Sequence, residues 1–76
     1  MEKKAAIAAF VTELLRNKGD QEPVNDGSSL VVSGRIDSMD VLQIVSFIES
    51  EFGATISAQD FDQYKFDTID SIRGFA

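Results

Sequence analysis

The sequence predicts an all-α protein, a small four-helix bundle with three longer helices and one short helix. Apolar residues recur at steps of three and four in two long segments, which is the spacing of one buried face of an α-helix. No segment pairs convincingly with another as a β-strand would. The chain of 76 residues can build one small core but not two. We therefore expect a single domain over residues 1–76.

The first segment is expected to form a helix over about residues 2–18. Its apolar residues form one stripe at helical spacing: Ile7, Phe10, Val11, Leu14 and Leu15. Gly19 can take the left-handed conformation that ends many helices, and the basic side chains of Arg16 and Lys18 suit the negative end of the helix dipole. The helix should therefore end just before Gly19.

Residues 19–37 are predicted to be a long loop, because glycine and serine are frequent there and the one proline lies within it. Loops of this length in compact domains are usually functional. Four apolar residues offer anchors to a core: Leu30, Val31, Val32 and Ile36. A short strand at 30–33 is the alternative, but it has no obvious partner. We interpret the segment as a loop pinned to the core.

The second helix, over residues 38–52, has the clearest pattern. Its apolar residues recur at steps of three and four, and polar residues occupy the other side; the apolar set is Val41, Leu42, Val45, Ile48 and Phe52. Gly53 follows as a stop signal. The pattern predicts an amphipathic helix that packs one face on the core.

Two shorter helices are expected near the end of the chain. Residues 57–60 fit a capping box, which predicts a short helix over 58–64. Asp67 or Thr68 can cap a last helix over 68–75, in which three apolar residues face one way: Ile69, Ile72 and Phe75.

The charge is unevenly distributed along the chain. Residues 1–18 carry a net charge of +2, whereas residues 19–76 carry −8. An acidic surface repels phosphate backbones and anionic lipids, so we expect no nucleic-acid partner and no membrane insertion, and we expect a partner with a basic docking patch. The N-terminus lacks the apolar segment of a signal peptide. These features predict a cytoplasmic protein, and we expect it to be a monomer.

The composition argues against an enzyme. The chain has no histidine and no cysteine, so Ser38 has no imidazole to serve as its general base and no cysteine nucleophile exists. We also assign no metal site, because the acidic stretch from Asp60 has Lys65 where a calcium loop needs glycine. Ser38 lies between Asp37 and Asp40 at the start of the longest amphipathic helix. It is expected to be modified and not to attack a substrate.

The segment Gly34-Arg35-Ile36-Asp37-Ser38-Met39-Asp40, followed by an amphipathic helix that ends at Phe52-Gly53, resembles the attachment site of acyl carrier proteins. The resemblance extends over nearly the whole chain. It implies that 4'-phosphopantetheine, taken from coenzyme A, is attached covalently to Ser38. It further implies a non-catalytic carrier that holds an acyl or aminoacyl cargo as a thioester and presents it to successive enzymes.

The same resemblance implies that partners recognise Asp37, Met39, Asp40, Glu49 and Glu51. Phe47 is added because, if it points outward, it offers partners an apolar contact. The expected partners are a phosphopantetheinyl transferase, an acyl- or aminoacyl-activating ligase, and acyltransferase or synthase enzymes. The family commonly shows more acids along the second helix than this chain does, since Gln43, Ser46 and Ser50 are neutral here.

That departure favours a dedicated carrier over a general fatty-acid carrier, and the chain resembles D-alanyl and aminoacyl carriers weakly. The cargo and the pathway, whether lipid, cell-envelope or secondary-metabolite biosynthesis, stay open.

The residues also allow one alternative and include a second acid-serine pair. The chain could be an unmodified acidic helical module that binds a partner through the Phe47 side of its second helix. A second acid-serine pair, Asp70-Ser71, is expected to stay unmodified, because Ser71 lies inside a short helix and lacks a glycine three residues before its aspartate.

Overall fold

The structure is a computed structural model that describes residues 2–57, 59 and 61–76. In this part of the chain the fold is all-helical and contains no strand. The described residues form three α-helices, in the order α1 (Lys3–Asn17), α2 (Ser38–Phe52) and α3 (Ile69–Arg73), and a short 3₁₀ helix (Gln63–Phe66) precedes α3. The all-α class is confirmed, whereas the four-helix bundle is confirmed only in part, because one of the four segments is a 3₁₀ turn.

Local caps define both ends of α1. The Glu2 carboxylate accepts hydrogen bonds from the backbone N–H groups of Lys4 and Ala5, at 3.1 Å each. At the other end, the Gly19 N–H bonds to the Arg16 carbonyl, the Asp20 N–H bonds to the Leu15 carbonyl, and Gly19 has a φ of 88°. This is the Schellman arrangement, in which the left-handed residue is most easily glycine. The buried face contains Ile7, Val11, Leu14 and Leu15.

Helix α2 has the predicted bounds, but its buried face differs from the predicted one. The buried apolar residues are Val41, Ile44 and Ile48, of which Ile44 was not part of the predicted apolar stripe. Val45 and Phe52 are only half-buried, and Leu42 is 48% exposed. The helix is thus rotated relative to the expected stripe, which leaves part of its apolar surface outside the core. Gly53 ends it with a φ of 68°.

From residue 61 onward the expected short helix over 58–64 is wrong, because the described residues there form a 3₁₀ helix at Gln63–Phe66 instead. Phe61 and Asp62 are not helical, and the 3₁₀ helix starts after them because the Asp62 carboxylate accepts a hydrogen bond from the Tyr64 N–H at 3.0 Å. Phe66 is fully buried at its end and stacks on Phe75 with ring centroids 4.6 Å apart. Residues 58 and 60, and with them the expected capping box, lie outside the described residues.

Helix α3 is shorter than the predicted 68–75. Thr68 is the cap, because its hydroxyl oxygen accepts a hydrogen bond from the Ser71 N–H at 3.0 Å. Ile69 and Ile72 are buried as expected. After Arg73 the backbone continues with tighter hydrogen bonds between residues three apart, so the α-helix does not reach residue 75.

The segment 19–37 is a loop anchored to the core, as predicted. Leu30 and Ile36 are buried, whereas Val32 is 72% exposed and is not an anchor. Residues 30–33 form turns and no strand.

A single carboxylate oxygen, Oδ1 of Asp67, organises the middle of this loop. It accepts hydrogen bonds from the Ser29 hydroxyl at 2.9 Å and from the backbone N–H groups of Leu30, Val31 and Val32 at 3.2, 2.8 and 2.9 Å. Burial alone would raise the pKa of Asp67, but these hydrogen bonds outweigh it and lower the pKa below its usual value. Asp67 therefore ties the start of α3 to the loop.

Arg35 holds the first part of the loop. Its guanidinium donates to the Asp20 carboxylate at 2.9 and 3.3 Å, to the Glu22 carbonyl at 2.8 Å and to the Pro23 carbonyl at 3.2 Å. The paired carboxyl of Asp20 has a lowered pKa, chiefly because of the hydrogen bond from Arg35. The loop thus leads to the start of α2 along a defined path.

Candidate functional site

The first turn of α2 is capped by the two acids that flank Ser38. The Asp37 carboxylate accepts a hydrogen bond from the Asp40 N–H at 3.0 Å, and the Asp40 carboxylate accepts one from the Asp37 N–H at 3.0 Å. This reciprocal pair is a capping box. The acids therefore perform the capping at this helix start.

Asp40 is buried, although the amphipathic pattern of the sequence predicts it on the polar side of α2, away from the core. It is 7% exposed and forms an ion pair with Lys18, which follows the last turn of α1. Lys18 also donates to the Arg35 carbonyl at 3.2 Å. The hydrogen bond to Asp40 raises the pKa of Lys18 despite the opposing effect of burial. Asp40 thus positions the start of α2 against α1 and presents little surface to a partner.

Asp37 remains exposed. Its pKa is lowered, first by the hydrogen bond from the Asp40 N–H and also by the nearby positive charge of Lys18. The carboxylate is therefore ionised at neutral pH and keeps a negative charge at the surface beside Ser38. Its predicted role in partner recognition is compatible with this position and stays a prediction.

Ser38 is the first residue of α2 and is exposed to solvent. Within the described part of the chain its hydroxyl makes no hydrogen bond. The first turn of a helix has backbone N–H groups without intrahelical partners and a partial positive charge, so a phosphodiester suits this position. The chemistry of the site therefore fits an anionic group esterified to Ser38.

An open groove of about 440 Å³ begins next to Ser38 and follows the outer face of α2. Its apolar lining consists of Met39, Leu42 and Phe47 from α2 and Phe10 from α1. Its polar lining consists of Gln43, Ser46, Ser50 and Glu51. Met39 is 66% exposed, so the apolar surface beside Ser38 is accessible to a ligand or partner.

Phe47 forms a wall of this groove and does not project freely into solvent. Its ring stacks on Phe10 with centroids 4.3 Å apart and meets Phe52 edge-on at 5.9 Å. The residue is half-buried. These contacts fix the position of Phe47, and they reduce the area that it could offer to a partner. Its role in recognition stays a prediction.

The two glutamates of α2 differ from each other. Glu49 is half-buried, and its carboxylate accepts a hydrogen bond from the Ile56 N–H at 3.1 Å. It therefore holds the segment that follows α2, in addition to any role at the surface. Glu51 is exposed and lies at the far end of the groove.

Sequence reasoning missed three residues that position the site: Lys18, Arg35 and Asp67. Their partners are 12 to 38 residues away along the chain. Lys18 did carry a signal, as a basic residue at the end of a helix, but nothing local identified Asp40 as its partner.

Among the described residues, no group of three or more acidic side chains is arranged to hold a metal ion. No helix in the described part is long and apolar enough to cross a membrane.

Comparison with known proteins identifies the family. A family model described as "Phosphopantetheine attachment site" matches residues 5–75, which is nearly the whole chain. No curated protein and no solved structure gives a significant match. The matched region includes the capping box, Ser38 and the groove. The chain therefore belongs to the phosphopantetheine attachment family, whose members are non-catalytic carriers that bear 4'-phosphopantetheine covalently.

Proposed function

We propose that Ser38 carries the 4'-phosphopantetheine arm and that the protein is a dedicated carrier of an aminoacyl or specialised acyl cargo. The arm supplies the thiol that holds the cargo as a thioester, and the protein supplies binding and orientation. The observation that carries the proposal is the first turn of α2, where both flanking acids are engaged in capping while the serine hydroxyl is exposed and unbonded in the described chain.

The rest of the chain supports Ser38 over other serines. Ser71, in the second acid-serine pair, has its backbone N–H and its hydroxyl engaged with Thr68, at 3.0 and 2.9 Å. Ser29 donates its hydroxyl to Asp67. Ser38 combines an exposed hydroxyl, a helix start and an adjacent groove, which are the features that a transferase needs to reach and modify it.

The neutral outer face of α2 supports a dedicated partner set. Gln43, Ser46 and Ser50 are exposed and uncharged, so this face attracts strongly basic partners less than a row of acids would. A ligase that adenylates an amino acid or a specialised acid is the proposed loading enzyme, and acyltransferase or synthase enzymes are the proposed consumers. Interaction with a phosphopantetheinyl transferase follows from the family. The cytoplasmic location stays a prediction.

Attachment and cargo are tested separately. Incubation with coenzyme A and a phosphopantetheinyl transferase should raise the intact mass by one arm in the wild-type protein and by nothing in Ser38→Ala. The loaded protein is then offered to candidate adenylating ligases and to a fatty-acid synthase system, and acylation is read by mass spectrometry.

Acylation by a ligase with poor chain elongation is the expected result. Efficient elongation would instead indicate a general fatty-acid carrier. A wild-type protein that accepts no arm would favour the alternative of an unmodified interaction module.

A further inference from the structure

The orientation of the turn that carries Ser38 is not set by the serine itself. The Ser38 hydroxyl makes no hydrogen bond in the described chain, and the Asp37 carboxylate binds the Asp40 N–H within the same helical turn. Modification nevertheless requires the hydroxyl to point in a defined direction, because an enzyme must bring a phosphorus atom into line with its oxygen. Residues outside this turn must therefore hold it in place.

Lys18 holds the segment 35–40 at both of its ends. Its ammonium nitrogen donates to the Arg35 carbonyl at 3.2 Å and to the Asp40 carboxylate. Arg35 comes three residues before Ser38, and Asp40 comes two residues after it. One nitrogen atom thus binds the chain on both sides of the serine, and its loss would release both ends together.

The contact with Asp40 reaches the backbone beside Ser38 through a single oxygen. Oδ2 of Asp40 accepts hydrogen bonds from Lys18 and from the Asp37 N–H, the latter at 3.0 Å. The Asp40 side chain is only 9% exposed, so a charged carboxylate without its partner would turn towards water. Lys18 therefore keeps the Asp40 carboxylate in the orientation that caps α2.

Lys18 is itself fixed by the end of α1. Its backbone N–H bonds to the Leu15 carbonyl at 3.0 Å, and the Asp20 N–H bonds to the same carbonyl at 2.9 Å. The Asp20 carboxylate in turn accepts a hydrogen bond from the Arg35 guanidinium at 2.9 Å. The end of α1 thus holds the residues before Ser38 twice, at the Arg35 carbonyl and at the Arg35 side chain.

We infer that Lys18 is a positioning residue for the modification of Ser38, because its ammonium holds Arg35 and Asp40 so that the Ser38 hydroxyl meets the transferase in one arrangement. This inference rests on the proposed attachment at Ser38. In that reaction the serine oxygen attacks the phosphorus of coenzyme A that bears the pantetheine arm. The bond from this phosphorus to adenosine 3',5'-bisphosphate breaks, and the hydroxyl proton passes to a base on the transferase. Lys18 contacts none of the reacting atoms and acts through the segment that it holds.

A positioning role and a purely electrostatic role of Lys18 predict different kinetics. Removal of its charge leaves the Asp40 carboxylate unpaired and makes the surface near Ser38 more acidic, so association with a basic transferase should be unchanged or stronger. Loss of positioning instead lowers the rate of the bound complex, because a misplacement of about 1 Å can cost ~100-fold. The first effect changes KM, and the second changes kcat.

The test compares Lys18→Met with Arg16→Met in steady-state loading by coenzyme A and a phosphopantetheinyl transferase, at a temperature where circular dichroism shows each variant folded. Arg16 lies in the last turn of α1, and its exposed side chain makes no hydrogen bond or ion pair in the described chain, so its replacement removes the same charge without these contacts. We expect Lys18→Met to lower kcat about 5- to 50-fold without raising KM. Arg16→Met should keep the wild-type kcat, and Lys18→Arg, which can donate to both oxygens, should restore kcat to within about twofold.

Asp40→Asn provides a second route if Lys18→Met does not fold. Its amide oxygen still accepts the Asp37 N–H, whereas the ion pair is lost. We expect kcat to fall, and Lys18→Met added to Asp40→Asn should lower it no further. A wild-type kcat or a rise in KM alone for Lys18→Met, an equal loss in Arg16→Met, a loss that Lys18→Arg does not recover, or additive losses in the double variant would overturn this inference while Ser38 still accepts the arm. A wild-type protein that accepts no arm would overturn this inference and the proposed attachment together.

Discussion

The starts of α2 and α3 are built from the same kinds of residue but use them differently. At α2, Asp37 and Asp40 cap each other's backbone N–H groups, and the hydroxyl of the serine between them makes no hydrogen bond in the described chain. At α3, Thr68 is itself the cap, and its hydroxyl donates to the Ser71 hydroxyl at 2.9 Å. One helix start leaves its serine accessible, and the other engages it.

The acids differ in the same way. Asp67 and Asp70 at α3 both bind other parts of the chain: Asp67 holds the loop through Ser29 and residues 30–32, and Asp70 pairs with Lys4 at 2.8 Å. At α2 only Asp40 reaches another element, through Lys18, and Asp37 stays at the surface. An acid-serine pair at a helix start therefore does not define a modification site by itself. What matters is whether the neighbouring acids cap the helix, so that the serine hydroxyl is left without a hydrogen bond.

The largest effect on stability is expected at α3. Asp67→Ala removes the acceptor for the Ser29 hydroxyl and for the Val31 and Val32 N–H groups, whereas the Leu30 N–H keeps its hydrogen bond to the Asp67 carbonyl at 2.7 Å. Part of this cluster is shielded from water. We expect a loss of about 2–4 kcal/mol in the free energy of unfolding, measured by urea denaturation, because donors left without partners carry most of the cost.

Asp67→Asn, which keeps an acceptor oxygen, should lose less, and Asp70→Ala should lose least of the three. Equal losses for Asp67→Ala and Asp70→Ala would show that the loop does not depend on Asp67.

The second effect concerns the acid that links α2 to α1. Asp40→Ala removes the acceptor for the Asp37 N–H and leaves Lys18 without its ion-pair partner. We expect a loss of about 1–3 kcal/mol, within the range of lost caps and hydrogen bonds to charged groups. Denaturant midpoints at two salt concentrations provide the measurement. A wild-type midpoint for Asp40→Ala would restore the earlier expectation that Asp40 acts mainly in partner recognition.

Low pH should weaken the hydrogen bonds by which Asp67 holds the loop. The loss of stability should be smaller than in Asp67→Ala, because a protonated carboxyl still accepts hydrogen bonds. The pKa of Asp67 is lower in the folded protein than its ordinary value of 3.8, so the unfolded chain binds the proton first. The stability that Asp67 contributes is then full above about pH 5 and is lost as pH falls through 3.8 towards the folded pKa.

Unfolding free energies of wild type and Asp67→Asn, measured from pH 6 to pH 2.5, should converge as the pH falls. Parallel curves would contradict the assignment. The lowered pKa values of Asp37 and Asp20 also reduce the free energy of unfolding at low pH, but they do so in both proteins and leave the difference between them unchanged.

The smallest effects separate the two hydroxyl groups at the helix starts. Thr68→Ala removes the cap of α3 and should cost about 1 kcal/mol. Ser38→Ala removes a hydroxyl with no hydrogen bond in the described chain, so the free energy of unfolding should change by less than about 0.5 kcal/mol. Thermal unfolding of both unmodified variants in one buffer provides the comparison. A larger loss for Ser38→Ala than for Thr68→Ala would show that Ser38 has a structural role.

The sequence predicted those features that depend on local signals. Helix α1 was expected at 2–18 and occurs at Lys3–Asn17, and α2 has the bounds 38–52 that were predicted, because Gly19, Gly53 and the Asp37 cap act within one helical turn. The sequence also located the start of α2 at Ser38 correctly, because the signals that define it are local.

The predictions that were wrong concern features that depend on contacts between residues distant in sequence. Helical spacing does not determine which of several apolar residues faces the core most directly, so Ile44 was overlooked in favour of Val45. The burial of Asp40 could not be predicted, because it requires the end of α1 to lie beside the start of α2. The 3₁₀ helix is placed by the hydrogen bond within Asp62–Tyr64 and by the stacking of Phe66 on Phe75, neither of which has a periodic signal.

The most direct test of the central claim is a peptide map of the wild-type protein after complete reaction with coenzyme A and a phosphopantetheinyl transferase. Tandem mass spectrometry of the peptides that contain Ser38 and Ser71 locates the arm. The account predicts one arm, on Ser38, with the Ser71 peptide unmodified and Ser71→Ala loading at the wild-type rate. An arm on Ser71, or full loading of Ser38→Ala at any other serine, would contradict it.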